Sequence, residues 1–113
     1  MNADLNQPLA IVDLETTGAS PRHDRVTEIG IVFMADGKVE REWSTLVQPG
    51  CPIPPAIQRF TGITDDMVRD APRFADLADT LRAMLAGRIF VAHNARFDYG
   101  FLRSEYRRLN ARF

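Results

Sequence analysis

Apolar residues recur along this chain with two different periods. "IVDLE", Ile11 to Glu15, is a short β-branched run ended by Thr16, Thr17 and Gly18, which predicts a buried strand. In "RVTEIGIVFM" the apolar positions alternate, placing Ile29, Ile31 and Phe33 on one face. Asp36-Gly37 supplies a tight turn and "VEREWSTLV" alternates again, so the three segments predict an antiparallel meander. A proline-rich stretch from Gln48 to Pro55 follows; Pro55 can open one helical turn through Phe60, and Gly62 can stop it. Thr64 suits an N-cap ahead of Asp65 and Asp66. From Arg73 to Leu85 the period lengthens: Phe74, Leu77, Ala78, Leu81 and Leu85 fall at helical spacing, and Gly87 ends the helix. "RIFVAH" reads as a buried strand over Ile89–Ala92. A final helix from Asn94 onward carries Asp98, Leu102, Tyr106, Leu109 and Phe113 along one stripe.

Helices between the third and fourth strands permit a crossover to parallel pairing. The expected fold class is therefore mixed α/β, a three-strand antiparallel meander plus a parallel strand with flanking helices. With 113 residues this is one domain or part of one, free of internal repeats and linkers.

Composition narrows the class only a little. Hydrophobic residues make up 45%, enough to bury a core and far from a disordered composition. A net charge of -1 argues against a tight, static nucleic-acid binder, although not against an enzyme that must release its substrate. The single Cys51 rules out an internal disulfide framework. "MNADLNQP" has no secretory pattern, and no apolar run is long enough to span a bilayer, so a cytoplasmic protein with no membrane partner is expected.

Asp13 and Glu15 then need explaining. Residues i and i+2 of a strand share a face, so two carboxylates repel each other within the most apolar opening run. A hard divalent cation would convert the repulsion into attraction; a pair resting harmlessly at a strand end is the plainer alternative. Asp98 follows the predicted fourth strand. If that strand lies parallel beside the first, all three acids gather at neighbouring strand ends, where open α/β sheets bind ligands. A first-turn acid complementing the helix dipole would explain Asp98 equally simply.

The flanking residues go further. "VDLETTG" resembles the first motif of the DEDD 3′–5′ exonuclease superfamily, "VAHNARFDYGFL" its second, and "FTGITDDMVRDAP" the segment between them. The resemblance runs from Leu9 to about Arg108 and is nearest to the proofreading (epsilon) subunits of bacterial DNA polymerase III. It implies a ribonuclease H-like fold and hydrolysis of nucleotides from 3′ ends. Asp13, Glu15 and Asp98 would hold two Mg²⁺ or Mn²⁺ ions, spaced about 4 Å apart in such two-metal sites. Thr16, Thr17 and Gly18 would lie against the terminal nucleotide through backbone N–H groups and a hydroxyl, with Gly18 permitting close approach. Phe60 and Ile63 would wall the last base, a role that anchoring of the loop rivals.

His93 and Asp98 reproduce the His-x-x-x-x-Asp spacing of the family's third motif, but their surroundings are those of the second. His93 and Asn94 are accordingly assigned to substrate or supporting contacts, not to base catalysis. Glu28, a possible hydrogen-bond acceptor near the metals or a rim residue, is left out of the metal set. His23 is expected to be exposed, and the arginines of the last helix either attract phosphate or solvate its outer side.

Residues Tyr99 to Phe113 contain no third motif, which would supply a general base and a fourth carboxylate. The expectation is that residues 1–113 form the N-terminal part of one exonuclease domain, inactive alone, with exposed apolar surface that favours a homodimer or another partner. The expected substrate is a single-stranded or frayed 3′ end of DNA, with polymerase subunits as candidate partners in replication proofreading or repair. An RNA-trimming relative and a non-catalytic nucleic-acid or protein-interaction module are the alternatives.

Overall fold

The computed structural model describes residues 7–113; the sequence reading of the N-terminal segment falls mostly on residues 1–6, outside the described residues. Four strands form one sheet: β1 (Leu9–Thr16), β2 (Val26–Ala35), β3 (Lys38–Leu46) and β4 (Ile89–Val91), in the spatial order β3-β2-β1-β4. β1 with β2 and β2 with β3 are antiparallel, whereas β4 runs parallel to β1 through Leu9–Ile89, Ala10–Phe90 and Ile11–Val91. This is the expected mixed sheet. Asp36 and Gly37 both take positive φ, 53° and 74°, the geometry a two-residue turn needs to match strand twist.

Four helices follow the expected signals. α1 (Pro55–Thr61) begins at its proline and ends at Gly62, φ 78°. The short α2 (Asp65–Val68) is capped by Thr64, whose hydroxyl accepts from the Met67 N–H at 3.3 Å. α3 (Phe74–Leu85) and α4 (Ala95–Arg108) cover one side of the sheet. Ala10, Val12 and Leu14 of β1 and Ile29, Ile31 and Phe33 of β2 point into that layer. There they meet Phe74, Ala78 and Leu81 of α3 and Phe101, Leu102 and Tyr106 of α4. Burying each larger side chain is worth roughly 1.5–3 kcal/mol, so this alternation fixes which face of β1 looks inward. Asp13 and Glu15, one residue out of phase, are excluded from the core. The Tyr106 hydroxyl donates to the Ala78 carbonyl at 2.7 Å and ties the two helices together.

Two expectations are corrected. The fourth strand closes at Val91 rather than Ala92. The last helix ends at Arg108: Asn110 adopts a left-handed φ of 57°, a conformation asparagine tolerates at helix ends. Leu109 and Phe113 therefore do not continue the helical stripe. Leu109 is exposed, and Phe113 folds back to stack on Tyr106, ring centres 5.0 Å apart. The exposed large apolar side chains among the described residues are spread over β3, α1, α2, β4 and the α4 region. Among the described residues no helix is long and apolar enough to cross a membrane.

Candidate active site

The site lies where β1 runs past the end of β4. β4 pairs only as far as Ile11, so the last residues of β1 extend beyond it. Asp13 is exposed and Glu15 half-buried on the same face. Glu28 stands directly opposite Glu15 across the β1–β2 ladder and so shares that face as well. From the first turn of α4, Asp98 reaches the same edge and is 5% exposed, close to the Leu14 backbone.

Electrostatics bind these acids into one system. Burial raises the Glu15 carboxyl above its ordinary range, and the charges of Asp13, Glu28 and Asp98 add to the rise. Asp98 is likewise raised, by burial first and by Asp13 second; its hydrogen bonds from the Leu14 and Asp98 N–H groups and the charge of His93 oppose the rise. The donors are all hard carboxylate oxygens whose mutual repulsion a divalent cation would relieve, and to that extent the residues fit such an ion. The fit is one of charge and donor type: among the described residues no three His, Cys, Asp or Glu side chains stand close enough to form a ready-made cage.

Beside the acids runs a groove of about 330 Å³ lined by Leu14, Glu15, Thr16, Gly18, Ala19, Ile57, Phe60, Thr61 and Phe97. Phe60 is 85% exposed and forms its outer wall. Ile63 does not line this groove. It is buried with Ile53 and Val68 under α1 and α2, so it supports the loop from beneath. His93 and Asn94 are exposed just before α4, as is His23 in its loop.

The turn after β1 departs from expectation in its chemistry. The Thr16 hydroxyl donates to the Gly18 carbonyl at 2.6 Å, and the Thr17 hydroxyl donates to Asp24 at 3.0 Å while accepting from the Arg25 N–H. Both hydroxyls are engaged within the fold. Gly18 is required by the protein itself: a Cβ there would meet the Asp24 carboxylate at 2.5 Å.

Sequence reasoning overlooked Asp24, which also accepts from the Ser20 N–H, and Glu105, a carboxylate buried in α4. Glu105 was findable: it follows Asp98 by seven residues and Leu102 by three, so it is a charge set on the apolar stripe of its helix. Glu28 joins the acids only through its register opposite Glu15, which depends on where β2 pairs and which local pattern does not fix.

Comparisons with known proteins agree with this architecture. Residues 10–112 match the family described as Exonuclease (RNase_T). The chain is 38% identical over 104 residues to 3′-5′ exonuclease DinG of Staphylococcus haemolyticus, covering 92% of this chain and 12% of that protein. It is 40% identical over 93 residues to DNA polymerase III subunit epsilon of Treponema pallidum, covering 82% of this chain and 43% of that one. Among solved structures, a product-bound exonuclease I superposes with a TM-score of 0.85 at 20% identity, covering 95% of this chain and 27% of its own; at that identity the likeness speaks for the ribonuclease H-like fold. A zinc-bound form of the E. coli enzyme with single-stranded DNA superposes as well. The chain thus spans about an eighth of the length of the first curated relatives it matches. With both expected motifs in place on this sheet and nearly every residue within the match, the chain belongs to the Exonuclease family, within the DEDD superfamily.

Proposed function

We propose that this chain contributes the carboxylate edge and terminal-nucleotide groove of a 3′–5′ exonuclease acting on single-stranded or frayed DNA ends. The observation that carries the reading is the convergence of Asp13 and Glu15 of β1 and Asp98 of α4 on the end of β1, beside a groove walled by Phe60. Asp13, Glu15 and Asp98 would hold Mg²⁺ or Mn²⁺, which when bound supplies Lewis-acid stabilisation of the phosphate and lowers the pKa of water.

The chain's own residues have separable tasks. Asp13 and Glu15 present oxygens to a cation; Asp98, buried in the first turn of α4, brings a third carboxylate from the helix side. Phe60 offers a face on which any base can stack, which suits sequence-independent digestion. The turn at Thr17–Gly18 offers backbone to the sugar or phosphate. His93 and Asn94, exposed beside Asp98, are assigned to the substrate.

DNA is the favoured polymer because the relatives include a DNA polymerase III subunit, and exonuclease I has been captured with a dT13 oligonucleotide. Attachment to a polymerase, as in proofreading, follows from the same likeness. Residues 1–113 hold no third motif that would supply a general base and a fourth carboxylate, so cleavage by this chain alone should be slight.

Calorimetric titration with Mn²⁺ tests the site. Binding is expected for the wild type and strongly weakened in Asp13→Ala and Asp98→Ala; no binding, or binding indifferent to both substitutions, overturns the proposal. A 3′-labelled oligonucleotide incubated with Mn²⁺ tests the division of labour. Asp13-dependent release of label at enzymatic rates would show that these residues suffice for catalysis.

A further inference from the structure

Glu105 takes no part in the proposed hydrolysis, yet it is 1% exposed. Seven residues after Asp98, it projects from nearly the same side of α4 about 10 Å further along the axis. Its Oε1 accepts from Arg25 Nε at 3.1 Å and Nη2 at 2.8 Å, and its Oε2 from Arg25 Nε at 3.1 Å and the Val26 N–H at 3.0 Å. Arg108 Nη1 lies 3.5 Å from Oε1, and its Nη2 donates to the carbonyls of Pro21, Arg22 and Asp24 at 3.1–3.2 Å.

The partners of Glu105 and Arg108 outside α4 all fall on Pro21 to Val26, the segment that leads from β1 into β2, and that segment holds the turn at the site. The Thr17 N–H donates to the Arg25 carbonyl at 2.9 Å, and the Arg25 N–H returns a bond to the Thr17 hydroxyl. At the other end of the helix, Asp98 in the first turn of α4 faces the end of β1. α4 is therefore fastened through the Arg25 clamp to the turn that follows β1.

We infer that Glu105 is a positioning residue, which sets Asp98 and the Thr17–Gly18 turn in register with Asp13 and Glu15 by holding Arg25 and Val26 against α4. The inference rests on the reading of this edge as a metal-dependent site. Without the clamp, α4 keeps its apolar packing but its first turn is free to shift relative to β1, and carboxylates that must share an ion tolerate little misplacement.

The test compares the full chain with Glu105→Gln and with Phe33→Leu, a core substitution at the opposite end of the β1–β2 ladder, where Phe33 pairs with Ala10. Mn²⁺ affinity is measured by calorimetry, and exchange of the Leu14 and Thr17 amides by NMR without metal. Glu105→Gln is expected to weaken Mn²⁺ about tenfold and to speed exchange at both amides; Phe33→Leu should lower the melting temperature but leave both readouts near wild type. Unchanged affinity and exchange in Glu105→Gln, or equal loss in Phe33→Leu, overturns the inference. Should Glu105→Gln not fold, Arg25→Lys, which keeps the charge and loses the fork, takes its place with the same expected direction. A wild type that binds no Mn²⁺ overturns the site reading and the role with it, whereas the exchange arm still reports on the clamp, so the two failures are told apart.

Discussion

Glu15→Gln should make the metal-free protein more stable and the metal-loaded protein less so. Glu15 faces Glu28 across the ladder, shares its strand face with Asp13 and feels Asp98 from the helix side, and no hydrogen bond holds its carboxylate among the described residues. A like-charged pair directly opposed on a sheet costs up to about 1 kcal/mol, so neutralising Glu15 should return about that much. In a domain near 100 residues this raises the melting temperature by about 4 °C or somewhat more. Excess Mn²⁺ should invert the order. At a hundred times its Kd the ion stabilises the wild type by about 2.7 kcal/mol, whereas a variant whose affinity has fallen about a hundredfold gains only about 0.4 kcal/mol. The wild type should then lead by about 1.3 kcal/mol. The sign of the pH dependence follows from the raised carboxyl. The folded state holds the Glu15 proton more tightly than the unfolded chain, whose value is near 4.5. The penalty is therefore full above the folded-state pKa and vanishes as pH falls to the unfolded value, so the metal-free advantage of the Gln variant should shrink over that window. Thermal melts in EDTA and in Mn²⁺, at neutral pH and in steps downward, measure all of this. A Gln variant that melts below the wild type in EDTA at pH 7, or that gains as much from Mn²⁺, would refute the reasoning.

Three further substitutions separate fold from site. Gly18→Ala forces a Cβ onto an Asp24 carboxylate already held by the Thr17 hydroxyl and the Ser20 N–H, so chemical denaturation should show a loss of about 1–3 kcal/mol. Phe60→Ala removes a ring that is 85% exposed and should leave stability within about 0.5 kcal/mol of wild type. The same change should weaken single-stranded oligonucleotide binding, read by fluorescence anisotropy, by about 1–3 kcal/mol. Tyr106→Phe deletes the 2.7 Å bond to Ala78 and should cost about 1 kcal/mol in stability while leaving Mn²⁺ affinity untouched.

How legible each part was in the sequence depends on the range of the forces that place it. Asp13 and Glu15 share a face because strand geometry alternates every residue, and the apolar phase of Ala10, Val12 and Leu14 decides which face is buried. That information lies within eight residues, so the pair could be read directly. Asp98 required one more step, a crossover that brings β4 alongside β1; the helices between Pro55 and Leu85 made it inferable. The Arg25–Glu105 pair spans eighty residues and had no partner signal in either neighbourhood. Periodicity misled at the C-terminus for a related reason. Phe113 is apolar because it packs on Tyr106, but it arrives there by a reversal at Asn110, and a hydrophobic pattern does not distinguish a continued helix from a chain that turns back onto it.

The least legible property was the turn that presents the site. Thr16, Thr17 and Gly18 carry polar groups of the kind that could meet a nucleotide, and the sequence alone cannot tell whether those groups are free. In the folded chain Thr16 bonds Gly18, Thr17 bonds Asp24 and Arg25, and Gly18 makes room for Asp24. The turn's own side chains satisfy its polar groups, so its backbone is ordered by the fold itself. The carboxylates follow the opposite logic: Glu15 and Asp98 are raised by burial and by the acids beside them, a repulsion that a cation would relieve. A turn that needs nothing further, set beside acids that do, confines the folded chain's unmet electrostatic demand to one edge of the sheet, and it is there that metal-dependent binding should be sought.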